Sequence, residues 1–126
     1  MKIHKVYIAG DYSANNTIKT LQNIGKGEKA AAQLFDYGFA VFCPWHDKSY
    51  AMELCDKELE VSKFYNASLA WLEVSDAVFV ISGRGNGGGV DAEIKRAIEL
   101  KIPVFDSLLC LKRWGQMCLK RWGQIN

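Results

Sequence analysis

Four short apolar runs, Val6-Tyr7-Ile8-Ala9, Phe39-Ala40-Val41-Phe42-Cys43, Ala77 to Ile81 and Ile102-Pro103-Val104-Phe105, punctuate the chain. Between each run and the next lies a longer segment with the three- and four-residue apolar spacing of a helix. The first runs from about Thr17 to Tyr37 through Ile18, Leu21, Ile24, Ala31, Leu34 and Phe35, and Gly38 ends it. The second runs from about Asp56 to Val74 through Leu59, Phe64, Trp71 and Leu72, after a polar stretch from His46 that the spacing leaves unassigned. The third opens after a glycine loop and reaches about Lys101. Strands joined by crossover helices form a parallel sheet covered on both faces, so the expected fold is a doubly wound α/β domain of four or five strands. In such folds ligands collect beyond the carboxyl ends of the strands.

With 126 residues, 49% of them hydrophobic, there is room for one core and not two. No uncharged apolar run reaches the roughly 18 residues of a membrane span, and the N-terminus lacks the long apolar centre of a signal peptide, so a soluble, cytoplasmic protein is expected. Cys43, Cys55, Cys110 and Cys118 form no CxxC pair and read as reduced thiols. Cys43-Pro44-Trp45-His46 with Cys55 lacks a fourth zinc ligand, and no metal is expected. A net charge of +2 is too small for a nucleic-acid polymer as partner.

Residues 83 to 89 hold five glycines in seven positions ahead of a helix. A Walker phosphate loop requires Lys-Ser/Thr after its last glycine, and Gly89-Val90 follows Gly88 instead, which excludes it. Gly83, Gly85 and Gly88 do satisfy GxGxxG, but on the third of four strands, with no second mononucleotide half. Glu93 offers another reading. At about 100° per residue Asp91, Ala92, Lys95, Arg96 and Glu99 share one side of the helix, whereas Glu93 falls among Val90, Ala97 and Leu100. An inward carboxylate near a helix N-terminus, with glycine-made space before it, has the form of a carboxylate nucleophile or of a helix-capping glutamate.

Four stretches in order carry a resemblance. They are Val6-Tyr7-Ile8-Ala9-Gly10; Gly38-Phe39-Ala40-Val41-Phe42-Cys43-Pro44; Ser68-Leu69-Ala70-Trp71-Leu72 with Ser75-Asp76-Ala77-Val78; and Gly87-x-Gly89-x-x-x-Glu93-x-x-x-Ala97 with Ile102-Pro103-Val104-Phe105. Over about residues 3 to 106 the chain resembles the nucleoside 2-deoxyribosyltransferase superfamily, which includes the 2′-deoxynucleoside 5′-monophosphate N-glycosidases. The resemblance implies a flavodoxin-like fold, no cofactor, and cleavage or exchange of the N-glycosidic bond of a 2′-deoxynucleoside. It makes Glu93 the nucleophile that forms a glycosyl-enzyme ester and Tyr7 the residue that orients it. Gly10, Asp11, Pro44, Trp45, Ser68, Gly87, Gly89 and Asp91 are the candidate substrate-binding residues. Family members assemble so that neighbouring subunits complete one another's pockets, which implies a homodimer or larger.

The chain departs from the family where Ser68 replaces an aspartate that assists proton transfer, and serine is a poor acid near neutral pH. Asp11, Asp47 and Asp91 are the other candidates for that role. Asp11 also stands where it would repel a phosphate, favouring an unphosphorylated nucleoside. A binding module that keeps the pocket without efficient chemistry is the alternative, and a purely structural partner is a third.

Residues 107–126 carry a tandem copy, Cys110-Leu111-Lys112-Arg113-Trp114-Gly115-Gln116 and Cys118-Leu119-Lys120-Arg121-Trp122-Gly123-Gln124. Its four basic residues leave twelve basic against fourteen acidic in the first 106. As a helix it places Leu108, Leu111, Trp114, Cys118, Trp122 and Ile125 on one side, a stripe that lies on the sheet or on another subunit rather than on a membrane.

Overall fold

The computed structural model describes residues 2–54 and 60–125, with the side chains of Lys48 and residues 118–125 excepted. Four strands, β1 (Lys5–Ala9), β2 (Ala40–Phe42), β3 (Ala77–Val80) and β4 (Val104–Phe105), form one parallel sheet in the order β2-β1-β3-β4. Helix α1 (Thr17–Asp36) joins β1 to β2, α2 (Lys48–Glu53) and α3 (Val61–Glu73) join β2 to β3, α4 (Gly89–Glu99) joins β3 to β4, and α5 (Leu108–Ile125) follows β4. This is the flavodoxin-like arrangement, with four strands. The chain leaves β1 toward one edge and β3 toward the other, so the crevice where strand order reverses opens between their carboxyl ends.

Alternation along the strands sorts side chains between two cores. Val6, Ile8, Ala77 and Phe79 pack with Ala30 and Leu34 of α1 and Leu111 of α5. Tyr7, Ala9, Val78 and Val80 point to the other face, against Leu72 of α3 and Val90, Ile94 and Ala97 of α4. A fully buried leucine such as Leu34 or Leu72 contributes about 1.5–3 kcal/mol through the water it sheds.

Local signals explain where α1 begins and ends. The Asn16 side chain accepts the Lys19 backbone N–H at 2.8 Å, capping the N-terminus. At the other end Gly38 takes φ +100°, its N–H bonding Phe35 and that of Phe39 bonding Leu34, with the side chains of Phe39 and Leu34 together in the core.

Three elements differ from the expectations. The stretch left unassigned from His46 is taken up by a 3-10 turn, Pro44–Asp47, and then α2, because buried Pro44 and Trp45 anchor a segment with no apolar period of its own. The second long helix starts at Val61, and the expected start of that helix from about Asp56 to Leu59 lies outside the described residues. The fourth strand spans only Val104–Phe105.

In α5, Leu111 is buried and Leu108 and Trp114 pack on the α1 side of the sheet. A Cβ on Gly115 would stand 2.7 Å from the Phe39 ring, so the glycine that weakens the helix also admits its close approach. Cys118, Trp122 and Ile125 fall outside the described side chains. No helix among the described residues is long and apolar enough to cross a membrane.

Candidate active site

Tyr7 reaches the α3–α4 face because odd-numbered positions of β1 point there. Ser68 on α3 and Glu93 on α4 meet it at the carboxyl ends of the strands. Together with Gly10, Tyr12, Pro44, Val61, Phe64 and Tyr65 they line a cavity of about 140 Å³. An adjoining hollow of about 380 Å³ shares Tyr12, Val61 and Phe64 with it and adds Ser13, Asp47 and Ala51. A hollow of about 240 Å³ at the opposite end of the sheet, lined by Lys2, His4, Phe39 and Lys112 among others, has no carboxylate among the described residues that line it.

Glu93 turns inward, and its Oε2 is buried with no hydrogen-bond partner. Burial pushes its carboxyl up to about 7; a hydrogen bond from Tyr7 works against that rise and the charge of Asp11 adds to it. The helix dipole does not dominate here. Because α4 starts at Gly89, Asp91 and not Glu93 occupies the first turn, and the dipole's influence fades beyond that turn. Near neutral pH the carboxyl is therefore divided between its two forms, where the sequence placed a carboxylate kept charged by the helix end. Leu100, expected beside Glu93, is the exposed C-cap of α4.

Tyr7 is fully buried. Its hydroxyl is held far above the ordinary phenol range, first by burial and then by the charge of Glu93 and the bond to it, while a hydrogen bond from Ser68 lowers it. The chain of donors runs from Ser68 to Tyr7 to Glu93. The residue in place of the expected aspartate thus faces inward, against the tyrosine.

The glycine loop is braced by two aspartates. Asp91 accepts the backbone N–H groups of Gly85 at 2.8 Å and Gly87 at 2.6 Å, which hold its carboxyl below its usual range. Asp11 accepts from Asn86 Nδ2 at 2.9 Å, and its own N–H donates to Ser82 Oγ at 2.9 Å. Gly83, at φ +87°, lies so close that a Cβ there would meet the Asp11 carboxylate at 2.6 Å. Both aspartates therefore carry loop structure.

Of the ten residues singled out in the sequence, Tyr7, Gly10, Pro44, Ser68 and Glu93 line the cavity. Gly89 sits beside Glu93, and a Cβ on it would lie 3.9 Å from Oε1. Gly87 lies in the glycine loop in front, which Asp11, after β1, and Asp91, in the first turn of α4, brace from outside. Trp45 does not reach the cavity: it is 4% exposed and packs in the other core, over Gly27 of α1. The residues the sequence did not single out are the aromatic wall of Tyr12, Phe64 and Tyr65. The position of Tyr65 three residues before Ser68 on α3 was the available signal, since i and i+3 share a helix face. Among the described residues no group of three His, Cys, Asp or Glu side chains converges to hold a metal ion.

The structure is similar to that of a 2-deoxyribosyltransferase from the psychrotolerant bacterium Bacillus psychrosaccharolyticus, with a TM-score of 0.55 over 79% of this chain and 69% of that one. At 23% sequence identity, what the two chains share is the fold. No protein-family model matches the chain, and none of the curated proteins does.

Proposed function

We propose that the protein cleaves or exchanges the N-glycosidic bond of a 2′-deoxynucleoside, with Glu93 as the nucleophile. The observation that carries this reading is the Glu93 carboxyl itself: inward, one oxygen unpartnered, open to a cavity at the point where strand order reverses. The similarity in fold to a 2-deoxyribosyltransferase supports it.

In this reading an ionised Glu93 oxygen attacks C1′ of the sugar as the bond to the base breaks, forming a glycosyl ester. Water or a second base then takes the sugar, following the logic of retaining glycosidases. A deoxyribose suits the step, because without a 2′-hydroxyl less electron density is drawn from an oxocarbenium-like transition state. Tyr7 fixes the carboxylate by its hydrogen bond, and Ser68 fixes Tyr7. Gly10 lines the cavity, Gly89 keeps the space beside Glu93 Oε1 clear for the ring, and the aromatic wall of Tyr12, Phe64 and Tyr65 takes the base by stacking.

Ser68 favours a second reading, a nucleoside-binding module of the same fold with little or no chemistry, since serine supplies no proton to a departing base. One experiment separates the two. The protein is incubated with a panel of 2′-deoxynucleosides, with and without free bases, and released or exchanged base is followed by chromatography. Turnover lost in Glu93→Gln supports the enzyme; a ligand that raises the melting temperature and is not consumed supports the binding module. Turnover that survives Glu93→Gln sinks the assignment of the nucleophile.

A further inference from the structure

We propose that the cavity in front of Glu93 takes a 2′-deoxynucleoside whose ring base is a cation, a ring-N-alkylated purine or a pyridinium, and releases that base as a neutral molecule. This rests on the nucleophilic role of Glu93 and narrows its substrate.

Aromatic rings and acids make up the chemistry of the walls. Tyr12, Phe64 and Tyr65 line the cavity with Glu93, and Asp47 lines the adjoining hollow. Asp11 stands close enough for its charge to reach Glu93. Among the described residues that line the two hollows there is no Lys, Arg or His. Aromatic faces beside carboxylates attract a planar cation, through the ring quadrupole and through charge. Oε2 of Glu93 is buried with no hydrogen-bond partner, so no donor of the protein offsets charge on it.

The titrating groups around Glu93 register the same field. Tyr7 from β1, Tyr12 from the loop after it and Tyr65 from α3 are each pushed up, first by burial and then by acidic neighbours. Those neighbours include Glu93 for all three and Asp47 for Tyr12. Their hydroxyls keep their protons at neutral pH, and Asp91 is held anionic by two backbone N–H groups.

A cationic base needs no proton from this site. A Glu93 oxygen forms the bond to C1′ as the C1′–N bond breaks, and the electron pair of that bond neutralises the ring nitrogen. Anion and cation become a neutral ester and a neutral base, so both buried charges disappear together. A neutral base would instead leave as an anion into a negative cavity, or wait for a proton.

The test uses the full-length chain and two rings that differ by one charge, 1-methylnicotinamide and nicotinamide, titrated by NMR. Turnover of 2′-deoxyribosyl nicotinamide, 7-methyl-2′-deoxyguanosine and 2′-deoxyguanosine is measured beside it, each corrected for loss without protein. At about pH 8 the cationic ring binds about fivefold or more tightly than the neutral one, and the gap falls to about twofold at about pH 5.5, where Glu93 is protonated. Asp47→Asn narrows the gap at the higher pH, and both cationic nucleosides lose base faster than in the control, but not in Glu93→Gln. Turnover of only one cationic nucleoside assigns the source of the charge. Equal binding of the two rings, or 2′-deoxyguanosine consumed as fast as the cations, overturns this inference and leaves the nucleophile standing. Tight binding of the cation with no turnover of any nucleoside keeps the cation site and overturns the enzymatic reading.

Discussion

Glu93 joins two properties that oppose one another. Its burial supplies a weakly solvated nucleophile and also raises its carboxyl to about 7, so that much of it is protonated at neutral pH. Activity is therefore expected to rise with pH through a midpoint near that value, read from kcat/KM against pH. Burial has a stability side as well. A carboxyl whose proton is held more tightly in the folded state than at its ordinary value of 4.5 stabilises the fold at low pH and loses that contribution as pH climbs through about 7. Glu93→Gln, neutral at every pH, should therefore unfold later than the wild type at about pH 8, by on the order of 1–3 kcal/mol, with the gap closing toward about pH 4.5. Denaturant titrations at the two pH values measure it, and an unchanged gap would mean that the carboxyl is not desolvated. Asp91 acts at a distance from the chemistry. Asp91→Ala removes the acceptor of the Gly85 and Gly87 N–H groups, so KM should rise several-fold while Glu93 keeps its midpoint.

Helix ends show how much backbone conformation decides. Helix α4 finishes as α1 does: the Lys101 N–H bonds Ile98, the Ile102 N–H bonds Ala97, and Ile102 packs against the core that holds Ala97. The equivalent of Gly38 is here Lys101, a side-chain-bearing residue at φ +59°. Lys101→Gly relieves that left-handed conformation and should stabilise the protein by about 0.5–1 kcal/mol, visible as a higher melting temperature with unchanged kinetics. Helices α3 and α4 are further tied by Arg96, which reaches Glu73 at 3.2 Å on one helix and Glu99 at 3.1 Å on its own. Those side chains are well exposed, so the pairs contribute a few tenths of a kcal/mol at most, and the apolar contacts of Leu72, Ile94 and Ala97 dominate the packing.

Across the molecule the sheet separates two tasks. The face covered by α1 and α5 is apolar core, and the face covered by α3 and α4 holds core at one end and the Glu93 cavity at the other. Leu111→Ala, on the first face, should cost about 2–4 kcal/mol and lower the melting temperature by about 10 °C, yet leave the pH midpoint of activity in place. A midpoint that moved with Leu111 would show the two faces to be coupled through the sheet.

Strand and helix order, the inward side of Glu93 and the stop at Gly38 were legible in the residues, because each is a periodic or single-residue property of local sequence. The apolar spacing of Leu108, Leu111 and Trp114 is a local property of the same kind, and Leu111 is buried in the core. Local sequence did not carry α2, whose place is set by the burial of Pro44 and Trp45, nor the fate of Trp45, which lies beneath α1 and outside the cavity. The aromatic wall came together from a loop after β1 and from α3, segments about fifty residues apart that only the sheet brings side by side. The protonation of Glu93 was likewise out of reach. A carboxyl's affinity for its proton depends on how completely other elements exclude water from it, and no spacing within one helix records that.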